Sequence, residues 1–138
     1  MRPSIFGVCS LVCLSTALVG GELAPPTAAK IIRVIVQASG GSKAECGDKE
    51  IAGELSSLGV AADPEAKVCW AGSDKEVARL TGKHKLVICG NPDWLAQGAA
   101  VALTAEGGRP SIYLSIKNLA AAGVTLPDSI VKISKVVK

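Results

Sequence analysis

The chain has 138 residues, of which 49% are hydrophobic and 20% charged; this suits one globular domain and excludes a disordered chain. Fifteen Lys and Arg against twelve Asp and Glu leave a formal charge of +3. That balance is too even for the basic footprint of a nucleic-acid-binding protein, so no nucleic acid is expected as a partner.

Met1-Arg2-Pro3 supplies a short positive start, and no charged residue follows from Ser4 to Gly20. Ile5, Phe6, Val8, Leu11, Val12, Leu14, Leu18 and Val19 make this stretch apolar, and it ends in Gly20 and Gly21. The pattern predicts a secretion signal over residues 1–21, cleaved near Gly21 or Ala24. The block falls short of the roughly 20 apolar residues of a membrane-spanning helix. Neither Cys9 nor Cys13 follows the small-residue run of a lipoprotein. An exported, periplasmic chain keeps Cys46, Cys69 and Cys89 in an oxidising compartment.

Residues 22–29 hold Pro25-Pro26 and small side chains, which reads as an extended lead-in. The domain is expected over residues 30–138. The β-branched run Ile31-Ile32-Arg33-Val34-Ile35-Val36, bounded by Ser39-Gly40-Gly41-Ser42, predicts a first strand. Asp48 is placed to cap a helix with Ile51, Ala52, Leu55 and Leu58 on one stripe, closed by Gly59. Residues 67–71 predict a second strand, Gly72-Ser73-Asp74 a turn and cap, and Val77, Ala78 and Leu80 a short helix. Residues 85–89 predict a third strand, stopped by Gly90-Asn91-Pro92-Asp93, with one helical turn at residues 94–96. Residues 99–104 and 111–116, around Glu106-Gly107-Gly108-Arg109-Pro110, predict a β-hairpin. Lys117 to Ala122 predicts a helix ended by Gly123. Beyond Pro127, the apolar Ile130, Val131, Ile133, Val136 and Val137 between Lys132, Lys135 and Lys138 predict a short amphipathic helix. The fold class is α/β: a small single domain, β-α-β-α-β with a parallel sheet, followed by a β-hairpin and C-terminal helices.

Nothing here forms a catalytic constellation, and a non-enzymatic protein without cofactor or metal is expected. His84, the only histidine, lies between two lysines at a strand entrance and has no nucleophile in sequence beside it. Asp48 with Glu50, and Asp74 with Glu76, sit at helix starts, where negative charge favours the helix whatever its chemistry. Cys46, Cys69, Cys89 and His84 lack the close pairing of a zinc site. Cys69 and Cys89 occupy equivalent positions in two predicted strands, making them the candidate disulfide; pairing with Cys46 and simple buried thiols remain open. Gly40 and Gly41 lack phosphate-loop spacing and read as a flexible turn. Trp70 and Trp94 flank strand ends where a ligand pocket forms in parallel sheets, so they mark a candidate pocket if the chain is a ligand binder. The lysines at 132, 135 and 138 read as a wet helix face or as a match for an acidic partner or lipid headgroups.

The C-terminal third resembles the YfiR-like family of small periplasmic proteins. The resemblance lies in Gly98-Ala99-Ala100-Val101-Ala102-Leu103, Glu106-Gly107-Gly108-Arg109, Ser111-Ile112-Tyr113-Leu114-Ser115-Ile116, Asn118, Ala121-Ala122-Gly123-Val124 and the apolar-basic run 130–137. It implies a non-enzymatic periplasmic regulator that binds and represses a membrane diguanylate cyclase, often as a homodimer, with release under redox or envelope stress. The alternative is a periplasmic small-ligand-binding module related to solute-binding domains, with its pocket near Trp70 and Trp94.

Overall fold

The computed structural model describes residues 21–137, so the expected signal segment lies outside the described residues except for Gly21. Among these residues no helix is long and apolar enough to cross a membrane. After a two-residue strand β1 (Gly21–Glu22), the chain enters helix α1, Pro25–Ala38. This overturns both the extended lead-in and the strand expected over residues 31–36. Pro25 and Pro26 open the helix, where a missing N–H costs nothing and the proline φ is already helical. Ala28, Ala29, Ile32, Ile35 and Val36 are buried, spaced as one helical stripe, while Lys30, Arg33 and Gln37 face solvent. The β-branched residues thus obey a period of 3.6 once the two alanines before them are counted. Past Ser39, Gly40 takes φ +86°, and the Gly41 N–H bonds back to the Val36 carbonyl at 3.2 Å.

The first core strand is β2, Lys43–Cys46, followed by α2, Lys49–Ser57, and a short β3, Ala61–Ala62. Asp48 caps α2 as expected, its carboxylate accepting from the Glu50 and Ile51 N–H groups. Then come β4 (Val68–Ala71), α3 (Asp74–Thr81), β5 (Leu86–Cys89) and a 3₁₀ turn over Pro92–Gln97. Ser73 caps α3 through the Glu76 N–H. The hairpin is β6 (Val101–Glu106) with β7 (Arg109–Ser115), turning on Gly107 and Gly108, both at positive φ. Helix α4, Ile116–Ala122, ends at Gly123, whose left-handed φ of +73° closes it.

The final segment departs from the expected single helix. Only Asp128–Lys132 (α5) is helical, and Ser134–Val137 forms a strand, β8. The Ser134 hydroxyl donates to the Ile130 carbonyl at the helix end, and the β-branched residues beyond it pair in parallel with β7, Leu114 opposite Val136.

One sheet results, in the order β3-β2-β4-β5-β6-β7-β8, with β1 pairing antiparallel to the far end of β6. From β3 to β6 neighbours are parallel, β7 is antiparallel to β6, and β8 is parallel to β7. Helices cover both faces, as a parallel sheet requires. On one face α1, α2, α4 and α5 supply Ile32, Ile35, Leu55, Leu119 and Ile130 to a cluster with Leu86, Ile88, Leu103 and Leu114. On the other, Val77 and Leu80 of α3 and Leu95 of the 3₁₀ turn pack on Cys69, Val87, Cys89 and Ala102. Truncating any fully buried Leu or Ile of such a core to Ala costs about 2–5 kcal/mol.

Asn118 ties the second half together, its amide donating to the Leu95 and Ala99 carbonyls, both at 2.8 Å. Between those two residues Gly98 has φ +122°, and an added Cβ would lie 2.5 Å from Thr81 Oγ1. Gly98→Ala should therefore destabilise the domain by about 2–4 kcal/mol through backbone strain plus overlap. Thr81→Ala in the same chain should restore only the overlap part, read by denaturant unfolding of the single and double variants.

Candidate functional site

The winding of the sheet reverses between β2 and β4. From β2 the chain passes through α2 to β3 on one side, then crosses to β4 on the other. Such a switch point, at the carboxyl ends of the strands, is where open α/β sheets usually bind ligands. Here it is framed by Cys46-Gly47-Asp48 and Ala71-Gly72-Ser73, and the carboxylate of Glu76 lies across it. The Gly72 N–H donates to Glu76 Oε1 at 3.1 Å, and a Cβ on Gly47 would stand 3.9 Å from Glu76 Oε2. Arg79 reaches Glu76 at 3.9 Å and Glu45 at 3.7 Å, and Lys85 reaches Glu45 at 2.7 Å. Of the expected helix-start carboxylates, Asp48 is thus engaged in capping and Glu76 in a backbone hydrogen bond and an ion pair. The helix N-termini that would receive an anion already hold negative charge.

Trp70 and Trp94 do not share a pocket. Trp70, on β4, packs on the cluster under α1 and α2, while Trp94, in the 3₁₀ turn, packs on the cluster under α3. The sheet stands between them, because adjacent positions and the helices above them alternate faces. The Trp70 indole N–H is buried without an acceptor.

Nor do Cys69 and Cys89 form the candidate disulfide: all three described cysteines are free thiols. Cys69 and Cys89 do share a face, but the parallel register sets Cys69 opposite Val87 and Ala71 opposite Cys89. The diagonal between neighbouring strands is about 7–8 Å, beyond the usual Cα separation of a disulfide. Cys46, opposite Trp70, lies on the other face. Burial pushes the Cys69 thiol up to about 12 and that of Cys89 to about 11. The Cys46 thiol is also raised, by burial first and then by the charges of Asp48 and Glu76. All three are therefore protonated at neutral pH and poor nucleophiles. Among the described residues no three His, Cys, Asp or Glu side chains gather as a metal set.

At the opposite, amino-terminal edge two open depressions of about 390 and 430 Å³ share the wall Glu65-Ala66-Lys67. The Ser39–Ser42 turn lines the first, and the exposed His84, with φ +57°, lines the second. Their charges are largely spent internally: Lys43 pairs with Asp63 at 3.4 Å, Lys67 donates to the His84 carbonyl at 2.8 Å, and Lys85 donates to the Pro64 carbonyl at 2.6 Å.

The remaining surface of note was not legible in the sequence, because it depends on β8 being a strand. β8 ends the sheet. Ile133, Val136 and Val137 are 71%, 45% and 40% exposed, and Ile116, at the start of α4, is 48% exposed. These are four of the five large apolar side chains left in solvent among the described residues, and all four lie at or beside one edge. Exposed apolar side chains grouped this way mark a contact surface. Lys135, expected on a solvated helix face, instead lies across the β6–β7–β8 face. Its ammonium meets Glu106 at 2.7 Å and stands 5.1 Å from the Tyr113 ring centroid. The Tyr113 hydroxyl and the Ser111 hydroxyl also donate to Glu106. These bonds, Lys135 first, hold the Glu106 carboxyl down to about 2, and the same pair raises Lys135. The network fastens β8 to the hairpin.

No family model matches the chain, and no curated protein matches it in sequence. Solved structures share its fold, two of them as follows. A conserved domain protein from Vibrio cholerae O1 biovar El Tor aligns with a TM-score of 0.64 at 10% identity over 83% of this chain. The ABC domain from Streptococcus pneumoniae, solved in complex with L-Trp, aligns with a TM-score of 0.61 at 8% identity over 79%. This chain spans 60% of the length of each. At such identities the likeness establishes a mixed α/β fold and nothing of the chemistry.

The thiol environments set an order of reactivity: an alkylating reagent at pH 8 should modify Cys46 first and reach Cys69 and Cys89 only on unfolding, as read by mass spectrometry. The intact mass should not change on reduction. The Glu106 carboxyl, ordinarily near 4.5, is depressed when folded, so its contribution to stability is present above that value and is lost as pH falls towards about 2. Glu106→Gln should flatten this part of the acid limb of denaturant-measured stability.

Proposed function

We propose that this chain is a non-enzymatic, exported regulator that works by protein-protein contact, binding a membrane signalling protein from the periplasmic side. The partner class follows from the YfiR-like pattern of residues 98–137: a membrane diguanylate cyclase that the chain represses. The single observation that carries the contact reading is the apolar edge at β8. A soluble domain of this size leaves such side chains grouped in solvent mainly where another surface covers them. Asn118, part of the resemblance, is a structural tie between the 3₁₀ turn and the start of β6 rather than a site residue.

A second reading, a small-ligand-binding module, is favoured by one observation: the similarly folded ABC domain was solved with L-Trp. In that reading the ligand sits at the β2/β4 switch point rather than between Trp70 and Trp94.

Deleting the gene should raise cellular cyclic di-GMP, and restoring it should bring the level back. Unchanged levels under ordinary and reducing conditions would remove the regulator reading. In that case a thermal-shift screen with amino acids and other small metabolites should show a raised Tm for one of them, through binding linkage.

A further inference from the structure

We infer that β8 is a receptor edge for an extended segment of the partner protein, apolar in its middle and acidic at both ends, which adds to the sheet as its next strand. This rests on the protein-contact reading and specifies the partner's chemistry at that surface.

The two edges of the sheet differ. β3 is two residues long and is followed by Asp63-Pro64, so it offers little backbone to pair with, and proline stops any extension. β8 has four residues, bonded to β7 on one side only. Its outer row of N–H and C=O groups is a template for another strand. Edge strands are commonly guarded by a lysine. The lysine of β8, however, is drawn onto Glu106 and the Tyr113 ring, away from the edge. What the edge presents is apolar on both faces: Val136 lies level with Leu114 on the helix-covered face, and Val137 with Ser115 on the other.

Charge decides the occupant. Lys132 is exposed just before β8 begins, and Lys117 is exposed just past Ser115, which stands opposite the last residue of β8. An unpaired cation thus marks each end of the strand, since neither lysine is in an ion pair among the described residues. From Gly107 to Lys138 the chain has five basic residues and a single acid, Asp128. A second copy pairing antiparallel through the same edge would set Lys132 of each against Lys117 of the other, like charge on like charge at both ends. An added strand with acidic ends meets opposite charge at both, with Ile133, Val136, Val137 and Ile116 covering its centre. That repulsion disfavours self-pairing through this edge.

The test uses the purified protein and two short labelled peptides of valine, one ended by aspartates and one by lysines, followed by fluorescence anisotropy. The aspartate-ended peptide should bind at least about tenfold more tightly, and its binding should weaken as salt rises. Ile133→Asp with Val137→Asp should abolish that binding without changing the thermal melt, both side chains being exposed. Lys117→Glu with Lys132→Glu should reverse the preference towards the lysine-ended peptide, which a merely sticky edge would not do. Equal binding of both peptides overturns the inference, as does a preference unmoved by charge reversal. A dimer dissolved by the same substitutions, with no peptide binding, also overturns it. In cells, the Ile133→Asp/Val137→Asp chain should fail to lower cyclic di-GMP in the deletion strain. If that chain restores the level as well as its parent does, the edge inference falls and the regulator reading stands. If deletion itself has no effect while the peptide preference holds, the regulator reading falls and the edge stands.

Discussion

The domain is arranged around β5. All four of its side chains, Leu86 to Cys89, are fully buried, and they alternate between the two apolar clusters. A strand buried on both sides forces cover on both sides, and the rest of the chain answers that demand unequally. Four helices lie on the Leu86 and Ile88 face, and only α3 and a 3₁₀ turn lie on the Val87 and Cys89 face. The thinner cover explains the small residues there: Ala71, Cys69, Ala99 and Ala102 let α3 and the turn approach closely, and Gly98 meets Thr81 with no room for a side chain.

The same constraint separates what the amino-acid sequence reveals from what it hides. β4, β5 and the hairpin are legible because burial writes itself as apolar runs, and α2 because Asp48 caps it and its stripe is clean. α1 is concealed by its content: Ile31-Ile32-Arg33-Val34-Ile35-Val36 has the composition of a strand, and only Ala28 and Ala29, one turn earlier, reveal the helical period. β2 is concealed for the opposite reason. In Lys43-Ala44-Glu45-Cys46 only Ala44 is buried, and the strand exists because β3 and β4 pair with it on either side. β8 depends on β7 in the same way, since its own side chains stay largely exposed and pairing with the partner strand decides.

The candidate sites divide along that line as well. Residues whose role is local were readable, as Asp48 and Ser73 show by capping the helices they precede. Pairings across the sheet were not. Equivalent positions in β4 and β5 suggested that Cys69 and Cys89 meet, but the parallel register offsets them by two residues. Trp70 and Trp94 both adjoin strand ends, and nothing in the spacing tells which face each takes. The apolar edge is invisible until residues 134–137 are known to leave the helix.

One small pairing joins residues far apart in the chain. Gly21 and Glu22 bond to Ala105 and Thr104, about eighty residues further along the chain. Contacts of such separation are slow to form, because loop closure costs entropy before any contact rewards it. The parallel order of β2, β4, β5 and β6 adds crossovers of the same kind. The beginning of the domain therefore has no settled place until most of the chain has been made. A topology of this kind closes late, only once its distant strands are brought together.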